Sequence, residues 1–246
     1  MNRYKLSISY NGKNFSGFQV QPEKRTIQGE LEKTLEFLLK EKVKIYASGR
    51  TDAGVSALCQ VAHFDTEQEL DTKKMQNSLN ALLPNDISVG LIEKVSIEFD
   101  SRFSAKEKTY NYLFYISKFK HPIFDEFALR INDYADLNLM KQACKFFVGT
   151  FDFKSFVSRK SGKTDFVRTI YDAKITHLFD GVYAFEITGN GFLYNMVRII
   201  FGTLVQVGYK KIKPEDIPKI IESENRAVAG RTMPAYPLVL KNVVYK

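Results

Sequence analysis

The sequence predicts an α+β fold made of two halves, each running β-α-β-β-α-β. Three observations predict it: strand-like alternation at the start of each half, one amphipathic helix after each opening strand, and a two-residue turn signal in the second half. In "YKLSISY", Tyr4, Leu6, Ile8 and Tyr10 alternate with Lys5, Ser7 and Ser9. "TIQGELEKTLEFLLK" then sets Ile27, Leu31, Leu35 and Leu38 on one helical face, with Thr26 as N-cap. "VKIYAS" and "CQVAHF" read as strands around a glycine-flanked loop. "DTKKMQNSLNALLP" places Met75, Leu79 and Leu82 at helical spacing and stops at Pro84, and "ISVGLIEKV" closes the half as a strand.

The second half repeats the order without repeating the sequence. "KTYNYLFYI" alternates, and "DLNLMKQACKFFVG" reads as a helix ending at Gly149. "TIYDAKITHL" and "VYAFEITGN" form a hairpin around Asp180-Gly181. "GFLYNMVRIIFGTLVQVG" is expected to be an amphipathic helix, followed by a short helix after Pro214 and a last strand, "LVLKNVVY". These are two ferredoxin-like halves, residues 1–104 and 105–246. They are expected to share a mostly antiparallel mixed sheet, with helices on one face and a central basic cleft.

Composition narrows the partners. Thirty-six basic residues against 28 acidic ones give a net charge of +8, which favours a polyanion such as nucleic acid. Basic residues gather at 40–44, at 158–168 and at 209–213. The longest apolar run, "MVRIIFGTLVQVG", is broken by Arg198 and too short to cross a bilayer, so no membrane partner is expected. No apolar signal segment precedes the first strand. Cys59 and Cys144 lack metal-ligand spacing and read as buried thiols in a reducing cytoplasm.

Chemistry concentrates in "SGRTDAGVSALCQVAHFDT", residues 48–66, where Arg50 and Asp52 lie between Gly49 and Gly54. Turn chemistry alone explains an Asp among glycines, and Arg50 has an equally plain reading as a surface arginine that steadies its own loop. A reagent role for Asp52 requires other groups that act with it. Arg198, which interrupts an apolar helix, and Tyr110, on the strand opening the second half, are the candidates, although Tyr110 also fits core packing beside Tyr112 and Phe114.

"ASGRTDAGVSALCQVAHFDT" resembles the catalytic motif of the tRNA pseudouridine synthase A family. "GFQVQPEKRTIQGELEKTL", "NALLPNDISV", "SRFSAKEKTYNY", "FEITGNGFLYNMVRIIFGTLVQVG" and "AGRTMPAYPLVL" resemble that family's other segments in the same order. The resemblance implies an isomerase that detaches uracil from C1′ of its ribose, turns it, and rejoins it through C5, with no metal, nucleotide or other cofactor. It implies that Asp52 is the nucleophile or base and that Arg198 is its ionic partner. Tyr110 would stack on the uracil and relay its C5 proton, and Leu238 would pack on the base from the other side. Arg50 would contact phosphate and help to flip the nucleotide. The implied substrate is the anticodon stem-loop of tRNA, positions 38 to 40, bound by a cytoplasmic homodimer.

The chain departs from the family pattern at four places. Ser56 and Phe151 stand where histidine is usual, Arg231 where proline is, and Pro237 where glycine is. These leave the RNA target open: a structured RNA such as rRNA is an alternative substrate. Two rival readings differ in class. A non-catalytic RNA-binding pair of ferredoxin-like modules leaves "GRTDAG" unexplained, and a metal nuclease built on Asp52 and Asp65 suffers from their separation along an extended strand.

Overall fold

The structure, a computed structural model, describes residues 1–158 and 165–245. The middle of the basic segment at 158–168 lies outside the described residues. By its contacts the chain divides into two units, Met1–Lys106 with Val239–Lys246, and Glu107–Leu238. The last eight residues cluster with the first unit.

In the first unit, strand β1 (Asn2–Tyr10) runs antiparallel to both β3 (Ser56–Thr66) and β4 (Ile87–Val95). The expected strand at 43–48 shrinks to β2 (Tyr46–Ala47), paired with His63 and Ala62 of β3. Strand β10 (Leu238–Tyr245) joins β3 in parallel through Val239–Ser56 and Leu240–Ala57. That pairing is why the C-terminus packs with the first unit.

Helix α1 (Ile27–Leu39) starts at Thr26, whose hydroxyl accepts from Gly29 N–H, and stops at Lys40, which turns left-handed at φ 58°. It buries Ile27, Leu31, Leu35 and Leu39. Leu39 is thus buried where Leu38 was expected, and Leu38 is only half-buried. Helix α2 (Thr72–Leu82) is capped by Asp71 and buries Leu79, while Leu82 is exposed and the next residue, Leu83, is buried instead.

In the second unit the strand order is β5 (Ala105–Ile116), β9 (Val182–Gly189), β8 (Val167–Phe179), β7 (Gly149–Asp152), all antiparallel. A short β6 (Leu129–Ile131) runs parallel to the end of β5. Neither β6 nor β7 was expected, since three or four residues carry too little periodicity to read. The hairpin at Asp180-Gly181 is as expected: φ is 43° and 80°, the pair of positive angles that a two-residue type I′ turn requires. Helix α3 (Leu137–Cys144) ends five residues before Gly149 and passes into a 3-10 turn over Lys145–Phe147. Gly149 instead opens β7 at φ 133°.

Helix α4 (Met196–Gly208) is not amphipathic as expected. Eleven of its 13 residues are buried, leaving only Arg198 and Gln206 partly open. The reason is a crossing on its second side. A Cβ on Gly202 would lie 2.0 Å from the carbonyl oxygen of Arg231, and one on Gly230 would lie 2.3 Å from the Gly202 carbonyl carbon. The glycines let the two backbones touch, so the segment before β10 covers a face that a simple two-layer packing would leave wet. Short helix α5 (Ile217–Glu222) follows Pro214 as expected. Among the described residues no helix is long and apolar enough to cross a membrane.

Candidate active site

In the first unit the loop 48–55 bridges β2 and β3, and it is held from three sides. Ser48 N–H donates to Val61 O at 2.8 Å. The fully buried Gln60 works at both ends of its amide: its oxygen accepts from the Ser48 hydroxyl at 2.6 Å and from Val61 N–H at 3.1 Å, and its nitrogen donates to Gly49 O at 3.0 Å. On the far side, Tyr10 at the end of β1 shares a 2.8 Å hydrogen bond with the Thr51 hydroxyl, both residues buried. Burial pushes the Tyr10 phenol up to about 12, and the bonds to Thr51 and Gln60 oppose that only in part.

The segment after β1 backs the loop. Phe18 N–H donates to Thr51 O at 3.1 Å. A Cβ on Gly12 would lie 2.1 Å from Val55 O, and one on Gly17, itself at φ 99°, would lie 3.0 Å from Thr51 O. The turn is closed by Val55 N–H donating to the backbone oxygen of Asp52 at 3.1 Å, with Gly54 at φ 83°. Gly54 therefore has a backbone task of its own. Asp52 sits half-buried on a fixed frame, flanked by an exposed Arg50 and a buried Thr51.

Three other sequence candidates lie in the second unit. Tyr110 on β5 faces Ile187 in the ladder, half-buried, with its ring edge-on to Phe192 at 5.2 Å and 85°. Two residues further, Tyr112 is fully buried, stacks on Phe201 at 4.2 Å and donates to Pro234 O at 2.8 Å. The core role thus belongs to Tyr112 and Phe114, and Tyr110 occupies the open end of the same strand face. Arg198 is half-buried in the first turn of α4. Its Nε donates to Met233 O at 2.7 Å and its Nη1 to Asn195 Oδ1 at 2.7 Å, while Met233 N–H donates to Arg198 O at 3.3 Å. Leu238, 6% exposed, opens β10 with its N–H on Ala235 O at 2.9 Å. The structure thus groups Arg50 with Asp52 in one unit, and Tyr110, Arg198 and Leu238 in the other.

Asp65 is committed elsewhere. Arg3 grips it through Nε and Nη2, both at 2.7 Å, and that hydrogen-bonded pairing holds its carboxyl below the usual carboxylate range. Among the described residues no three His, Cys, Asp or Glu side chains gather as metal ligands. Cys144 is buried as expected and burial pushes its thiol up to about 12, but Cys59 is only half-buried.

The residues that departed from the family pattern have local duties. The Ser56 hydroxyl accepts from Gly12 N–H at 3.0 Å, so it too fastens the backing segment to the loop. Pro237 O accepts from Leu113 N–H at 3.0 Å. The Phe151 ring is partly exposed at the sheet edge, lying over Gly149, and Arg231 is exposed. Sequence reasoning missed Tyr10, Gln60, Asn195 and Met233. Tyr10 and Gln60 read only as strand residues, and Met233 acts through its backbone, for which no side-chain signal exists.

A family model described as tRNA pseudouridine synthase matches residues 6–104 and 143–246. Curated relatives are similar over nearly the whole chain. The chain is 46% identical over 240 residues to "tRNA pseudouridine synthase A" of Caldicellulosiruptor saccharolyticus, covering 98% of each. It is 47% identical over 247 residues to the protein of that name in Bacillus licheniformis, and 46% over 249 residues to that in Bacillus subtilis, covering 99% of each chain in both cases.

Proposed function

This chain belongs to the tRNA pseudouridine synthase family, and we propose that it converts uridine to pseudouridine in tRNA with Asp52 as the reagent. The observation that carries the reading is the frame around Asp52. A carboxylate is presented half-buried from a loop whose backbone is bonded to β3 and the segment after β1, and whose Thr51 hydroxyl is bonded to Tyr10 of β1. Catalysis by a positioned carboxylate needs that fixity, because small misplacements of a reacting group are costly.

The reaction is balanced within the substrate. The N1–C1′ bond breaks, uracil turns, C5 bonds to C1′, and the C5 proton is lost while N1 ends protonated. No electrons or energy enter, so no cofactor is called for. Asp52 acts either on C1′ as nucleophile or on the neighbouring carbon as base, and both require its ionised form. Arg198 is the cation assigned to favour that form, since an opposite charge lowers a carboxyl pKa. Its guanidinium is held by neutral acceptors, Met233 O and Asn195 Oδ1, which orient it without cancelling its charge. Tyr110 offers the uracil a flat face that tolerates in-plane rotation. Leu238 offers an apolar contact, and exposed Arg50 a phosphate contact.

The relatives' names and the net charge of +8 support tRNA as the substrate. We assign the uridines to the anticodon arm, positions 38 to 40, and the active form to a cytoplasmic homodimer. Carbodiimide mapping of unmodified tRNA after incubation with the purified protein tests this. New stops confined to positions 38–40 are expected. Stops only in rRNA would replace the target, and none in either RNA would overturn the reaction.

A further inference from the structure

We propose that Asn195 is a positioning residue whose side-chain oxygen aims the Arg198 guanidinium. The inference rests on the assignment of Arg198 as the cation that keeps Asp52 ionised. Asn195 occupies the N-cap of α4, where an asparagine ordinarily accepts a hydrogen bond from the second or third helical N–H. It makes no such bond. Its side-chain oxygen instead accepts from Arg198 Nη1 at 2.7 Å, one turn along the helix. The backbone carbonyl of Asn195 meanwhile accepts from Ile199 N–H at 3.0 Å, so the residue still begins the helical ladder.

The geometry separates a side-chain role from a backbone role. Asn195 stands at φ 62° and ψ 5°, the left-handed region in which glycine and asparagine are the favoured residues. Were conformation the whole reason for an asparagine here, glycine would serve as well or better. The hydrogen bond adds what glycine lacks. With Nε on Met233 O at 2.7 Å and Nη1 on Asn195 Oδ1, two acceptors from separate parts of the unit define the guanidinium plane. An arginine fixed in this way loses little on engaging an anion, because its rotamers are already restricted. Asn195 touches no reacting atom and acts only through Arg198.

Three proteins test the proposal: wild type, Asn195→Gly and Asn195→Asp. Each is labelled with 15N-arginine, and rotation about the Arg198 Nε–Cζ bond is measured by NMR. The rate should rise at least tenfold in Asn195→Gly and stay near wild type in Asn195→Asp, which keeps an acceptor oxygen at a residue that tolerates the left-handed conformation. On unmodified tRNA, Asn195→Gly should lose about tenfold or more in kcat with KM within twofold, and the acidic limb of its kcat profile should move to higher pH. A rotation rate in Asn195→Gly equal to that of wild type overturns the proposal. So does an unchanged kcat and pH profile in a preparation whose wild type is active. Wild-type protein without turnover would sink the assigned reaction, and the rotation rate alone would then decide whether Asn195 holds Arg198.

Discussion

The phenol of Tyr10 and the hydroxyl of Thr51 lie 2.8 Å apart, both buried, and this bond ties the end of β1 to the residue preceding Asp52. The candidate reagent is thus placed by a strand more than 40 positions away in sequence. Removing that bond should disturb stability and rate together.

Tyr10→Phe leaves the Thr51 hydroxyl buried without its partner, a loss of about 1–2 kcal/mol. The pH dependence has a definite sign. The folded-state ionisation of Tyr10 lies at about 12 against an ordinary value of 10.0, so the fold favours the protonated phenol. Its contribution is fully present below pH 10 and is lost as pH rises through 12. Urea denaturation at pH 8, 10 and 11 should therefore show wild type losing stability more steeply than Tyr10→Phe. Parallel losses would show that Tyr10 does not titrate in this way.

Gln60→Leu removes an amide that serves three partners: the Ser48 hydroxyl, Val61 N–H and Gly49 O. Orphaned polar groups in a buried site predict a loss of roughly 2–4 kcal/mol. The expected result is a lower urea midpoint at an unchanged slope, with reduced kcat under conditions where the variant stays folded. A midpoint equal to wild type would mean that the loop does not depend on this clamp.

Gly12→Ala and Gly181→Ala contrast two kinds of glycine. At Gly12 a Cβ would sit 2.1 Å from Val55 O and 2.5 Å from its carbon, so one backbone must move. A loss of about 2 kcal/mol or more is expected, together with a fall in kcat, because Val55 closes the Asp52 turn. At Gly181 nothing lies within 4 Å and only φ 80° resists, so the cost should be about 1 kcal/mol with kcat unchanged. Thermal melts and initial rates of the two variants decide this, and equal effects would contradict it.

These glycines mark how far the sequence could be read. Alternation and spacing gave the main strands, helix α1 with its Thr26 cap, and the Asp180-Gly181 turn, because each is encoded by neighbours in sequence. Leu39 in place of Leu38, and the burial of α4 on nearly all sides, depend on what packs from elsewhere, and no local period carries that. The site divides in the same way. Asp52, Arg198 and Tyr110 stood out as reactive types in unusual settings. Gln60 and Tyr10 looked like ordinary strand residues, and their bonds to the loop exist only once β1 and β3 pair.

His63 predicts an acid sensitivity in the first unit. Ser101 N–H donates to His63 Nδ1 at 3.1 Å, which requires that nitrogen to be unprotonated, and the Ser101 hydroxyl lies 2.8 Å from it. Burial, aided by the Arg3 charge, holds the imidazole below its usual range. The neutral ring is therefore favoured by folding. Its contribution is complete above the ordinary value of 6.5 and declines as pH falls below it. His63→Gln, which keeps an acceptor, should lose less stability than wild type between pH 7 and 5. Identical acid slopes in urea titrations would count against this.

The most direct test of Asp52 as the reagent is tritium release from tRNA labelled at uracil C5, comparing wild type with Asp52→Asn. Release by wild type and none by Asp52→Asn is predicted, with tRNA binding by the two proteins alike because the substitution removes no phosphate contact. Release by Asp52→Asn at the wild-type rate would contradict it, and the pinned loop would then be a structural turn and not the seat of the chemistry.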